Sequence, residues 1–107
     1  MQLNLIIETD EAEIIWNAFR LANTALDADH KVEVFLLGAG VEAPDVRTEK
    51  YNPPGLIRKF LNGGGVLQAC GTCMDSREIE PGELRPHSTM GELLRIVEEG
   101  DQVLTFG

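Results

Sequence analysis

Four short segments rich in Leu, Ile, Val and Phe recur along the chain, with polar segments between them. In each one the apolar side chains are nearly continuous rather than strictly alternating, which indicates parallel strands covered on both faces. The predicted strands are Leu3–Ile7, Val32–Leu37, Val66–Ala69 and Gln102–Phe106.

The segments after the first two strands contain start signals for helices. Asp10 and Glu13 form an Asp-x-x-Glu variant of the capping box ahead of apolar residues at helical spacing. Farther along, Asn52 followed by Pro53 has the pattern of an N-cap with proline in the first helical position. We therefore expect one long helix after each of these strands.

The second half of the chain has further helix signals and two segments that are harder to assign. Thr89 and Glu92 form another capping box, and a short helix is expected over Met74–Ile79. The 15-residue loop Gly38–Asn52 has no periodicity and is long for a small domain. The segment Glu80–His87 has room for a short extra strand.

The alternation of strands and helices predicts an α/β fold. We expect a single domain over residues 1–107, with a doubly wound, mostly parallel sheet of four or five strands and helices on both faces. A length of 107 residues leaves no room for a second domain.

Composition and charge narrow the class of partner. The chain is 43% hydrophobic and 25% charged, as globular proteins are, and its net charge of −9 argues against nucleic acid and anionic membrane surfaces as partners. The longest run without polar side chains, Val34–Val41, is far shorter than the roughly 20 residues that span a membrane. The absence of a secretory signal pattern favours a cytoplasmic protein.

The only two cysteines, Cys70 and Cys73, form a Cys-x-x-Cys pair. One pair is no disulfide framework, and thiols in a reducing cytosol are more plausibly reactive than structural. Cys70 directly follows the third predicted strand, at the carboxyl edge where open parallel sheets bind their ligands. This position makes the pair the candidate functional site.

We expect Cys70 to be the more reactive thiol and Cys73 to resolve a mixed disulfide or to accept sulfur from it. The turn at Gly71 and Thr72 leads into the short helix, whose free N–H groups favour a thiolate, and Arg77 adds positive charge nearby. The candidate catalytic residues are thus Cys70 and Cys73, and the candidate substrate-binding residues are Gly71, Thr72 and Arg77. The alternatives are a small buried hydrophobe at Cys70 and an unpartnered cysteine at Cys73.

The remaining candidate residues indicate neither a metal nor a cofactor. His30 and His87 lie far along the chain from the cysteines without the spacing of zinc ligands. Both are expected to be surface histidines, with a proton donor as the alternative role for His87. Trp16 falls beside the apolar stripe of the first helix, which indicates an exposed patch that contacts another subunit.

The segment Val66–Arg77 resembles the cysteine motif of the DsrE/DsrF-like family. Lys31–Gly38 looks like the second strand of that family, and Ser88–Met90 with Asp101–Phe106 looks like its closing helix and strand. The resemblance implies a small cytosolic α/β protein that forms homo- or hetero-oligomers (dimer, trimer or hexamer). In the sulfur-relay members, the cysteine at the position of Cys70 receives sulfur as a persulfide; the second cysteine, Cys73, departs from that pattern.

Three functions remain open at this point. The first is a sulfur carrier that exchanges a persulfide on Cys70 with donor and acceptor proteins or small thiols, with no metal or nucleotide cofactor. The second is a thiol–disulfide switch formed by Cys70 and Cys73. The third is a non-enzymatic module that binds a ligand or another protein, in which the cysteines have no chemical role.

Overall fold

One five-stranded sheet organises the protein, whose 107 residues are all described by a computed structural model. Every neighbouring pair of strands is parallel, and the strand order is β4-β3-β2-β1-β5. The α/β fold is confirmed, with a sheet that is wholly rather than mostly parallel. The strands are β1 (Gln2–Ile7), β2 (Lys31–Leu36), β3 (Val66–Cys70), β4 (His87–Ser88) and β5 (Gln102–Phe106).

The direction of the crossovers determines which face of the sheet each helix covers. The chain moves outward from β1 to β4 in one direction and then returns across the sheet to place β5 beside β1. Since such crossovers are right-handed, the first three helices lie on one face and the last lies on the other, as predicted. The helices are α1 (Ala12–Asp27), α2 (Pro53–Asn62), α3 (Gly71–Ser76) and α4 (Met90–Glu99).

The main core lies between the sheet and the helices α1 and α2. Phe19 of α1 and Phe60 of α2 are fully buried, with ring centroids 5.6 Å apart in an edge-to-face arrangement. Gly65, just before β3, leaves the space that the Phe60 ring occupies. The Phe60 ring therefore packs directly against the turn that connects α2 to β3.

The opposite face is held to α4 by polar contacts. The buried amide of Asn4 in β1 donates a 2.6 Å hydrogen bond to the carbonyl of Ile96. Arg95 of α4 donates to the carboxylate of Glu33 in β2 at 2.9 Å. These contacts anchor α4 over the two central strands.

The predicted caps agree with the structure at two helices and differ at two. Asn52 and Thr89 accept N–H groups of their own helices, as expected. The N-cap of α1 is Glu11 rather than Asp10, because the Glu11 carboxylate accepts the Ile14 N–H at 2.8 Å. The short helix begins at Gly71 rather than near Met74, because the side chain of the preceding residue already caps it.

Both segments that lacked a clear pattern contain regular structure. The loop after β2 begins with a 3-10 helix, Gly38–Asp45, in which Val41 and Ala43 are fully buried. The segment Glu80–His87 ends in β4, which has only two residues and starts at His87. The short strand expected in this segment is therefore present, but it begins only at the last residue of the segment.

Trp16 has partners within its own chain. Its ring lies 5.1 Å from that of Tyr51, and the Arg20 guanidinium stands 4.6 Å above it. Three of the eight large exposed apolar side chains lie on α4. Met90, Leu94 and Val97 are 62%, 58% and 44% exposed and recur at the spacing of one helix face. No helix is both long enough and apolar enough to cross a membrane.

The packing of Phe60 predicts the stability of the domain. Phe60→Ala removes a ring that is fully buried against Phe19 and Gly65, so the free energy of unfolding should fall by about 3–5 kcal/mol. Urea denaturation followed by circular dichroism measures the change. Leu21→Ala on the solvent side of α1 is the control and should change it by less than about 1 kcal/mol. Equal losses in the two variants would contradict this account of the core.

Candidate functional site

The carboxyl ends of β1, β2 and β3 meet at one edge of the sheet, and the loops that follow them pack together. The backbone of Gly40, after β2, lies directly on the carbonyl of Ile7 at the end of β1, where a Cβ would not fit. The Gly38 N–H, also after β2, donates to the sulfur of Cys73, after β3, at 3.2 Å. The predicted edge is therefore where the cysteines lie.

Cys70 is both the last residue of β3 and the N-cap of α3. Its Sγ accepts the Cys73 N–H at 3.4 Å, and the side chain is buried, with the residue 5% exposed. Burial raises the pKa of the Cys70 thiol above its ordinary 9.0, and a hydrogen bond with the Cys73 side chain raises it further.

The expectation of a stabilised thiolate at Cys70 is therefore wrong. The N–H groups of Cys73 and Thr72 do act to lower the pKa of Cys70, but burial outweighs them. A helix of six residues has too few aligned peptide units to reverse that balance.

Cys73 has a different environment from Cys70. It lies in the first turn of α3, is only half-buried, and accepts the N–H of Gly38 from the neighbouring loop. Both cysteines are free thiols. Because their side chains interact directly, the site consists of two adjacent sulfurs, one shielded and one partly open to solvent.

The three predicted substrate-binding residues occupy different surroundings. Gly71 is buried, and Thr72 is exposed with its N–H directed toward the Cys70 sulfur. The Arg77 guanidinium lies 3.6 Å from the Glu42 carboxylate and donates to the Cys73 carbonyl at 3.2 Å. The positive charge expected near Cys70 is therefore engaged by Glu42 and a backbone oxygen instead.

The 3-10 helix is tied to the cysteine site by two arginines. Arg77 pairs with Glu42, and Arg85, from the loop before β4, lies 3.0 Å from the Asp45 carboxylate. Arg85 also donates to the Val41 carbonyl at 3.4 Å. These contacts hold the Gly38 loop in place beside Cys73.

His87 belongs to this edge as well, although the sequence places it 14 residues beyond Cys73. It begins β4 and pairs in register with Ala69 of β3, and its imidazole lies where a Cβ of residue 71 would be. The expected surface histidine is indeed exposed, but it also packs beside the cysteine turn. In the sequence, the only local sign of this contact is Gly71 directly after Cys70. A glycine there does not indicate which side chain packs against it.

The larger of the two surface cavities lies away from the cysteines. It has a volume of about 580 Å³ at the opposite edge of the sheet, beside the first residues of β1, β2 and β3. No group of three or more His, Cys, Asp or Glu side chains is arranged to hold a metal ion.

Comparison with known proteins gives one family and two solved relatives. Residues 4–106 match the model of the DsrE/DsrF-like family. An uncharacterized protein of Methanocaldococcus jannaschii, MJ0989, is 31% identical over 100 residues, which is 88% of each chain.

The solved structures support the same fold. The crystal structure of the YchN protein from E. coli has a TM-score of 0.85 at 25% identity and covers 99% of this chain and 100% of its own. A conserved protein of unknown function from Bacteroides thetaiotaomicron, BT1422, has a TM-score of 0.79 at 18% identity, covering 97% and 93%. At that identity, the second match shows the fold alone.

The environments of the two thiols predict their reactivity toward a small reagent. At pH 7 iodoacetamide should modify Cys73 faster than Cys70, because Cys73 is more exposed and the raised pKa keeps Cys70 protonated. The rate at Cys70 should go on rising at pH values where an ordinary thiol is already fully ionised, because its pKa is raised by burial. Peptide mass spectrometry at a series of pH values measures each rate. Faster modification of Cys70 at pH 7 would restore the original expectation.

Proposed function

The chain belongs to the DsrE/DsrF-like family, and on that basis we propose that it carries sulfane sulfur as a persulfide on Cys70 and passes it to a partner thiol. Family membership suggests a role of the sulfur-relay type. The observation that supports the finer assignment is the pair of adjacent thiols at the carboxyl edge, one shielded and one partly open.

Unequal access gives the two cysteines different roles in the proposal. Cys73 is the thiol that meets external donors and acceptors, because it is the more exposed of the two. Cys70 stores the sulfur, because burial protects a persulfide from reducing thiols in solution. The N–H groups of Thr72 and Cys73 face the Cys70 sulfur and stabilise negative charge on it.

The chemistry is thiol exchange with one additional sulfur atom. The Cys73 thiolate attacks the outer sulfur of a donor persulfide; a new S–S bond forms, and the donor leaves as a thiolate. The outer sulfur then moves to Cys70 by the same kind of attack. Transfer to the acceptor reverses these steps, and no external oxidant or reductant is consumed.

A cytoplasmic location and protein partners are part of the proposal. Sulfur exchange needs free thiols, which a reducing cytosol maintains, and both cysteines are free. The partners are sulfur donor and acceptor proteins or small thiols. The net charge of −9 disfavours nucleic acid and anionic membranes as alternatives.

A thiol–disulfide switch is the second candidate. The direct interaction between the Cys70 and Cys73 side chains favours it, because two thiols in contact need little movement to form a disulfide. That reaction requires a disulfide or another two-electron oxidant to accept the hydrogens. A ligand-binding module with chemically idle cysteines is the third function.

Intact mass separates the three functions. After incubation with a persulfide donor and removal of small molecules, the wild type should gain the mass of one sulfur atom, and dithiothreitol should reverse the gain. Loss of two hydrogens would indicate the disulfide switch instead. A mass that is unchanged after incubation with the persulfide donor would favour the ligand-binding module.

Cysteine variants assign the roles within the same assay. Cys70→Ser should abolish stable loading, because it removes the shielded store, whereas Cys73→Ser should slow loading without abolishing it. Glu83→Gln, in the exposed loop before β4, is a control that keeps both thiols and should load as the wild type does. Full loading of Cys70→Ser would assign the store to Cys73.

The exposed stripe on α4, Met90, Leu94 and Val97, supports a homo-oligomer as part of the proposal. A domain of this size buries limited apolar surface by itself, and association covers more. Light scattering at micromolar concentration should give a mass above that of one subunit, and Leu94→Glu should lower it because it places a charge in the stripe. A single-subunit mass for the wild type would refute this part.

A further inference from the structure

We infer that the groove between α1 and α2 is a binding site for a free α-amino acid with an apolar side chain. The groove is a cavity of about 250 Å³. Its lining consists of Trp16, Arg20, Asn23, Thr24 and Asp27 from α1 and of Leu56 and Lys59 from α2. None of these residues belongs to the cysteine site, so the inference goes beyond the proposed sulfur chemistry and does not depend on it.

The groove contains two cations that have no carboxylate partner. The chain has 18 acidic and nine basic residues, yet its five ion pairs are all made by three other arginines. Arg20 and Lys59 form none, although Asp27 lies in the same lining. Two unpaired cations in one cavity of an acidic protein favour an anionic group on the ligand.

Arg20 is held in place for a carboxylate. Its guanidinium stands 4.6 Å above the Trp16 ring, and its Nη1 donates to the Asn17 side-chain oxygen at 3.1 Å. A guanidinium has five N–H donors, and this contact uses one of them. The others remain available to a carboxylate, which a planar guanidinium can bind through two parallel hydrogen bonds.

Asn23 provides a buried polar group with an unused oxygen. The residue is 6% exposed, and its Nδ2 donates to the Leu56 carbonyl at 3.2 Å. Its Oδ1 accepts no hydrogen bond. Because every fully buried side-chain N or O atom of the chain has a partner, this oxygen is open to the groove that Asn23 lines.

The unused acceptors suit an ammonium group. Asp27 is exposed and forms no ion pair, and it lies one helical turn beyond Asn23 on α1. A carboxylate and an amide oxygen both accept hydrogen bonds, and an ammonium group has three to donate. The lining therefore has partners for both charges of a zwitterion.

The size and the apolar part of the groove limit the rest of the ligand. Trp16 and Leu56 are half-buried and add apolar surface to the lining. A volume of about 250 Å³ is below the roughly 300–1,000 Å³ of sites that hold drug-sized molecules. A single amino acid with an apolar side chain matches both the volume and the chemistry.

The fluorescence of Trp16 reports on binding directly, since it is the only tryptophan of the chain and lines the groove. At least one of L-leucine, L-methionine and L-phenylalanine should change it saturably, with a Kd on the order of 1 mM. For the amino acid that binds, the amide lacks the carboxylate and the N-acetyl derivative lacks the ammonium. Each should bind about tenfold more weakly or worse. A lack of response to all three amino acids would overturn the inference, as would equal binding of the amide.

Charge variants place the ligand in the groove. Lys59→Gln should weaken binding of the amino acid about tenfold and leave binding of its amide unchanged, because the amide has no carboxylate to lose a partner. Asp27→Asn should weaken binding of the amino acid but not of its N-acetyl derivative. The matched controls are Arg58→Gln and Glu13→Gln, which remove exposed charges of the same sign on the same helices outside the lining.

Both controls should bind as the wild type does. If Arg58→Gln weakens binding as much as Lys59→Gln, the effect is one of overall charge and the assigned site is wrong. Asn23→Ala should also weaken binding, and circular dichroism shows whether that variant is folded; if it is not, the two charge variants decide. No sulfur donor enters these measurements, so their outcome is separate from that of the sulfur-carrier function.

Discussion

The parallel pairing of β2 with β3 is the constraint on which the site depends. Leu36 is in register with Ala69, so β2 and β3 end at the same level and at the same edge of the sheet. The N–H of Gly38 can therefore reach the sulfur of Cys73. The pairing of β3 with β4 adds His87 to the same edge through its register with Ala69. A slip of one residue in either pairing would turn every side chain to the opposite face and separate these groups.

Competition between burial and backbone hydrogen bonds sets the chemistry of Cys70. The N–H groups of Cys73 and Thr72 lower the pKa of Cys70, whereas the loss of solvent raises it. At Cys70 the loss of solvent prevails, because the strand ends inside the protein and the helix that follows is short. A buried thiol that resists ionisation suits storage of sulfur better than it suits rapid first attack. This is the physical reason for dividing the proposed work between Cys70 and Cys73.

Hydrophobic pattern and capping residues were enough to predict most of the fold. The predicted strand Gln102–Phe106 matches β5, and Asn52 and Thr89 cap their helices as expected. The two-residue strand β4 is too short for a hydrophobic pattern, so only the position of its neighbours defines it. The position of Cys70 was predictable from the order of the elements. Its pKa was not, because burial depends on packing by residues distant in sequence. The contact between Gly71 and His87 is likewise a product of strand pairing that no local pattern encodes.

The exposed stripe of α4 begins beside the cysteine edge, and this connects the two surfaces of the proposal. Ser88 is in register with Cys70, and α4 starts only two residues later, at Met90. Met90 is thus at the end of the stripe nearest the thiols, while Val97 lies about two helical turns away along α4. A partner protein that covers the stripe would therefore also reach toward the cysteine site, with no change in the fold of this chain. Since thiol exchange requires two sulfurs in direct contact, docking beside the site brings the donor or acceptor thiol close before any bond forms. In the proposed function, contact with a partner protein and transfer of sulfur both depend on the short connection from β4 into α4.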